Sequence, residues 1–269
     1  MAILTPKTFT SGEVLTAADV NAYLRGGYMG SVYFTSSGTF TKATYPWLRA
    51  IRVKCQGAGA SGGGTDYIDT NGDVAAAPGG GGGAYAESFI TDIASLAASV
   101  TVTVGSGGTG GAAGTSGSTN GGDGVAGGSS SFGAGTAYEV SAGGGDNSSR
   151  GPDVNDVYVT GRASKTSVGV GDLVIPGRGS AHALAIGNAV ATNFVVAMPS
   201  AGGDSHLGAG GANPNNGTTT GNFSNDGVAG VGYGGGGGGG YAAAKTGAPF
   251  DGGAGGDGAP GIVIVELYA

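Results

Sequence analysis

Seven consecutive glycines at 234–240, followed by Tyr241, set the problem this chain must solve. A second run at 79–83 precedes Ala84 and Tyr85. Neither run can form a helix or a packed strand, because glycine has the most backbone entropy to lose and no side chain to bury. Two states remain. One is a flexible linker. The other is an extended threefold helix of the polyproline II type, with about 3 residues per turn and a rise of about 3.1 Å. Such a helix has no internal hydrogen bonds, so a buried copy must satisfy its N–H groups on neighbouring segments. Glycine segments side by side can do this, since their backbones approach closely. Cα–H···O contacts would add a weak second contribution.

Three features favour a packed bundle over a linker. The 64 glycines are spread over most of the 269 residues, with Ala and Ser as companions. Strand patterns interrupt them, as at 99–104. The sequence closes on an apolar strand, 262–268, which a floppy tail would not need. Collagen is excluded, because no Gly-X-Y frame is sustained and Pro is scarce. Only 11% of residues are charged, which argues against simple disorder. The net charge of −7, with no basic cluster, argues against a nucleic-acid partner. No apolar run reaches the roughly 20 residues of a membrane helix. The first residues, MAILTPKTFT, lack the pattern of a signal peptide, so folding in a cytoplasm is expected.

In chain order, 8–25 reads as a compact helical module. Thr16 is the expected N-cap with Asp19 as its acidic partner, and Leu15 and Val20 have staple spacing. Leu15, Thr16, Val20, Tyr23 and Leu24 are the candidate assembly residues. A helix of barely three turns must dock on something to persist. That partner is its own domain, a sister chain or another protein. Strands are expected at 31–35, 38–41, 48–56, 84–90, 99–104 and 262–268. Ile51, Val53 and Cys55 should share one buried face, and Glu266 should approach Arg52 or Lys54 if the first and last strands pair. Cys55 is the only cysteine, so it reads as a small core residue rather than half of a disulfide. Asn-Gly and Asp-Gly pairs punctuate the glycine segments as turns. Residues 147–200 have less glycine and more Val, Ile and Leu. They read as an inserted set of hairpins or a surface lobe.

Chemical motifs are weak. Residues 57–62 spell GxGxxG and 59–63 spell GxSxG, but both motifs need a helix to start there, and no helical periodicity follows. Residues 252–257 match the start of a calcium nonapeptide, without the tandem array that motif needs. Asp69, Asn71 and Asp73 place oxygen donors at alternate positions, but the glycine is misplaced for an EF-hand, so a solvated turn is expected. One Cys and two separated His exclude a zinc spacing. No enzyme, cofactor or metal is therefore expected. Aromatics beside glycine and Asn remain as contact candidates: Tyr67, Tyr158, Phe223, Tyr233 and Tyr241, with Asn71. Tyr among Ser, Gly and Asn gives large contact area at low entropy cost. For any single Tyr, service as the one sizeable packing residue of a glycine layer is the better reading.

Two parts of the chain resemble a known family. FTSGEVLTAADVN at 9–21 is similar to the segment that opens many minor tail or tail-fibre proteins of bacteriophages infecting actinobacteria. Gly38-Thr39-Phe40-Thr41, the glycines and Tyr85 of 79–85, and Gly261-Ile262-Val263-Ile264-Val265 resemble the opening strand, GGGGG(A)Y element and closing strand of phage tail-tip glycine-rich domains. The resemblance implies a virion tail-tip component, made in the host cytoplasm and often trimeric. It implies a role in receptor binding during host adsorption, with a purely structural plug or spacer as the alternative. Its implied partners are sister chains, other tail proteins through the N-terminal module, and a host envelope glycan or lipid. The expected fold is all-β. An antiparallel sheet of N- and C-terminal strands joins bundled polyglycine II segments, preceded by a short helix. The expected division is 1–30 for attachment and 31–269 for the glycine-rich domain with its insert.

Overall fold

The computed structural model describes residues 12, 14, 16, 17, 27–161, 169–188, 195–213, 217–218 and 222–269. The expected N-terminal helix, with Leu15, Val20, Tyr23 and Leu24, lies outside them; Thr16 is described and exposed.

Two five-stranded antiparallel sheets face one another. The first has the order β1-β19-β3-β5-β11, built from Tyr28–Phe34 (β1), Ala50–Gln56 (β3), Tyr85–Ile90 (β5), Leu173–Ile175 (β11) and Ile262–Tyr268 (β19). The second has the order β10-β8-β7-β6-β2, from Gly38–Thr41 (β2), Ser99–Thr103 (β6), Ser130–Phe132 (β7), Val140–Ala142 (β8) and Gly169–Val170 (β10). Period-two alternation decides the inner faces. Ile51, Val53, Cys55, Val263, Val265 and Leu267 of the first sheet pack on Phe40, Val100, Val102, Phe132 and Val140 of the second. Burial pushes the Cys55 thiol up to about 12, and the thiol donates to the Val140 carbonyl at 3.3 Å. On the outer face Glu266 sits opposite Arg52 and forms an ion pair with Lys54, as the alternation suggests.

Beyond Gln56 the side chains all but vanish, and the architecture changes with them. Residues 57–68 leave β3 as a single extended thread whose N–H groups point in three directions in turn. Gly57, Ala60 and Gly63 donate to Ala84, Gly81 and Pro78. Ala58, Ser61, Gly64 and Tyr67 donate to Gly128, Val125, Gly122 and Thr119. Gly59, Gly62, Thr65 and Ile68 donate to Ala259, Gly256, Gly253 and Phe250. All these bonds measure 2.8–3.1 Å. The carbonyls of the same thread accept from three further segments, through Gly108, Gly111 and Gly114, through Gly237 and Gly240, and through Gly145 and Gly151. A period of three with six lateral neighbours is what a threefold helix without internal hydrogen bonds requires. The thread 234–240 is enclosed in the same way. It donates to Gly203, Ala60, Val228, Ser200 and Gly63, and accepts from Gly83, Ala259, Gly211, Gly80, Gly256 and Ala77.

The strand registers run into the bundle without a slip. Gln56 pairs with Tyr85 and with Ile262, and the next bonds outward are Gly57 to Ala84 and Gly59 to Ala259. What changes is the distance between sheets. Facing sheets stand about 10 Å apart because side chains fill the gap. Past Gln56 the continuation of β3 hydrogen-bonds the continuation of β7, so two layers become one lattice.

Serine and threonine serve where the threefold pattern lacks a backbone partner. The Ser61 hydroxyl donates to Thr109 and accepts from the Val125 N–H, and Thr65, Ser130 and Ser200 accept from Gly253, Gly105 and Gly79. Gln56, fully buried at the junction, donates through Nε2 to the carbonyls of Gly57, Gly83 and Ala84.

At its other end the bundle passes into a smaller pair of sheets. Val74–Ala76 (β4), Phe223–Asn225 (β16) and Tyr241–Ala243 (β18) form one, in the order β16-β18-β4. Val157–Thr160 (β9), Ala183–Ile186 (β12), Val196–Met198 (β13) and Gly217–Thr218 (β15) form the other, in the order β15-β13-β12-β9. Their shared core is mostly alanine and valine around Tyr241. Leu207–Ala209 (β14) and Val231–Tyr233 (β17) pair separately. Residues 147–200 are thus distributed. One stretch joins the bundle, β10 and β11 edge the large sheets, and β9, β12 and β13 build the far sheet. Among the described residues no helix is long and apolar enough to cross a membrane.

A Cβ added at Gly62 would lie 2.0 Å from the Gly238 carbonyl oxygen, whereas one added at Gly117 meets nothing within 4 Å. Replacing Gly62 by Ala must part at least two lateral bonds, so Gly62→Ala should cost roughly 2 kcal/mol or more at about 1 kcal/mol per bond. Gly117→Ala should stay within about 0.5 kcal/mol of the parent. Urea unfolding of the two variants checks this.

Candidate functional site

The fold has two unlike ends. At one, the Ala269 N–H donates to the Gly27 carbonyl at 3.3 Å, beyond the large sheets. At the other, the threads reverse through loops at 69–73, 114–120, 152–156 and 244–250. These loops are clipped together rather than loose. Asn71 accepts through Oδ1 from the N–H groups of Gly247 and Ala248 at 2.8 and 2.9 Å. Asp66 accepts from the Gly121 N–H at 2.7 Å and from the Asp153 N–H at 3.4 Å, and pairs with Arg150 at 3.6 Å.

Here Val74 and Val154 exchange both backbone hydrogen bonds. That pairing brings Asp153 beside the 69–73 turn. One carboxylate oxygen from each of Asp69, Asp73 and Asp153 lies within 4.8 Å of the others. Asp73 and Asp153 line an open groove of about 300 Å³ with Asn155, Asp156, Val157 and Tyr158. Burial, then the charges of Asp73, Asp69 and Asp66, push the Asp153 carboxyl up to about 7. Burial and Asp69 raise that of Asp73. Beside the groove, Val157, Tyr158 and Val159 are 61%, 43% and 56% exposed on β9, the edge strand of its sheet.

The sequence-derived contact candidates separate accordingly. Asn71 and Tyr158 are exposed at this end, and Tyr67 is half-buried beside it. Phe223 is half-buried and stacks edge-on against Tyr241 at 5.4 Å. Tyr241 is a correction. It is 2% exposed, its hydroxyl accepts from Asn225 Nδ2, and it fills the alanine-rich core, so it packs the fold instead of lying on its surface. The reason is spatial: 234–240 is a core thread, so the residue that follows it enters the core. Tyr233 is half-buried at the opposite end of that thread, where Ser205 donates to its carbonyl. The expected solvated turn at 69–73 gains a neighbour no local pattern announces, since Asp153 is distant in sequence and arrives through the Val74–Val154 pairing. Asp66, which fixes that arrival, also escapes a motif search.

Against known proteins, a family model described as a glycine-rich domain matches residues 35–268. The chain belongs to the glycine-rich domain family. That match spans the second large sheet, the first apart from β1, the bundle and the far sheets. No curated protein matches the chain.

With its folded pKa raised from 3.8 to about 7, Asp153 holds a proton in the folded state that the unfolded chain has already released. Stability from this group therefore falls as pH rises between those values and levels off above them. In buffer without divalent cations, Asp153→Asn should gain thermal stability over the parent progressively from pH ~4 to pH ~7. Melting curves across that range should show the gap widening; a gap that stays constant contradicts the assignment.

Proposed function

We propose that this chain is a tail-tip component of a bacteriophage virion, and that its loop-bearing end is the adhesive surface that meets the host cell during adsorption. The observation that carries the reading is the polarity of the fold. Gly27 and Ala269 meet at one end, so the segment 1–26 joins the fold there, and the exposed Val157–Tyr158 edge and the clipped loops lie at the other. The sequence likeness at 9–21 to segments that open phage tail proteins supports attachment at the first end. A laterally bonded bundle is a stiff spacer. The twelve residues of 57–68 extend about 37 Å at about 3.1 Å each. Three copies joined through the N-terminal segment would turn weak contacts with an envelope glycan into firm attachment by raising effective concentration. Tyr158 and Asn71 are the contact residues this reading retains.

Labelled protein should bind host cells saturably and compete with phage adsorption, and Tyr158→Ala should weaken that binding several-fold without changing the melting temperature. Folded protein that neither binds cells nor blocks adsorption would replace the adhesin by a spacer. Deleting residues 11–24 should abolish incorporation into virions and leave the rest folded. Deletion virions that keep the protein would refute the attachment role.

A further inference from the structure

We propose that Asp69, Asp73 and Asp153 form a Ca2+ site at the loop-bearing end of the bundle. Three carboxylates converge with oxygens within 4.8 Å of one another. Convergence alone is common on acidic surfaces, but here two further facts apply. Asp73 is only 8% exposed, and its Oδ1 is buried without a hydrogen-bond partner. Asp153 Oδ1 is likewise buried and unpartnered. Buried carboxylate oxygens are ordinarily bonded, so two orphans on neighbouring carboxylates that line the same acidic groove call for a cation. The Arg150 guanidinium of this region is engaged by Asp66 rather than by the three.

The donor set selects the class of ion. All three side chains offer hard carboxylate oxygen, with no imidazole or thiolate among them. Ca2+ takes 6–8 oxygens at about 2.3–2.6 Å in flexible geometry, and oxygens spaced as these are can share one such ion. Mg2+ demands near-ideal octahedral geometry at about 2.0–2.1 Å and keeps most of its water. The groove beside Asp73 and Asp153 leaves room for the remaining ligands to be water or the hydroxyls of an incoming molecule. The backbone is already arranged for the task. Asp66 holds the Asp153 N–H, and the Asp73 N–H donates to the Thr70 carbonyl at 3.3 Å. An ion here would tie the 69–73 turn to the 152–156 segment, two stretches remote in sequence. The proposal concerns binding of the ion and stands apart from the adhesive role.

Calorimetric titration of CaCl2 into the full chain, stripped with chelator, tests it. Saturable 1:1 binding is expected, with Ca2+ tighter than Mg2+. Asp153→Asn should weaken it at least tenfold, and Asp69→Asn, an exposed position that leaves the fold undisturbed, should weaken it measurably. Circular dichroism establishes that both variants are folded. No saturable binding up to about 10 mM, above the range of the weakest calcium modules, overturns the proposal. Binding that both variants leave unchanged, or that prefers Mg2+, overturns it as well.

Discussion

A buried glycine thread is stable only if every N–H finds a partner beside it. That requirement governs the molecule. Thread 57–68 meets it at every residue, and 234–240 at Gly234 and Gly236–Gly240, by donating and accepting in three directions, each enclosed by six neighbours. The cost is entropic, since glycine loses more freedom on folding than any other residue. The return is lateral: most residues bond to two different segments, and the backbone bonds cross from thread to thread. No thread can form alone. Cooperativity is therefore built into the bundle in a way it is not in a helix, whose bonds close locally.

The large sheets anchor one end of that lattice. Their core of Val, Ile and Phe has an ordinary hydrophobic driving force. Their strands leave the core already paired and in register, as Gln56 with Tyr85 and Ile262 shows. The transition from two layers to one lattice occurs where the side chains stop, and Gln56 fills the joint. The far sheets close the other end with alanine and valine around Tyr241. The glycine segment is thus held between two conventional cores, and its length fixes the distance between its ends.

Much of this was legible in the residues. The β-branched alternation of 48–56, 99–104 and 262–268 marked the strands, and it placed Glu266 near Arg52 or Lys54 without choosing between them; the structure pairs it with Lys54. The threefold lattice followed from the inability of 234–240 to do anything else while buried. What could not be read was adjacency. Composition says that threads neighbour one another, not which ones, because glycine carries no side chain by which partners differ. The same blindness hid the acidic site. Asp69 and Asp73 announced a turn, but Asp153 belongs to a stretch that reads as an insert. It reaches them only through the bond pattern of Val74 and Val154. Tyr241 shows the same limit: the residues offered it both a contact and a packing role, and its place behind a core thread decides for packing.

The most direct measurement is native-state amide hydrogen exchange, resolved by residue, at Gly62–Gly64 and Gly236–Gly240. Every one of these N–H groups is bonded laterally in the lattice. Exchange as slow as that of Ile51, Val53 and Cys55, through global opening only, is the result the lattice predicts. Exchange at the rate of an unstructured chain would contradict it and return the glycine runs to flexible linkers.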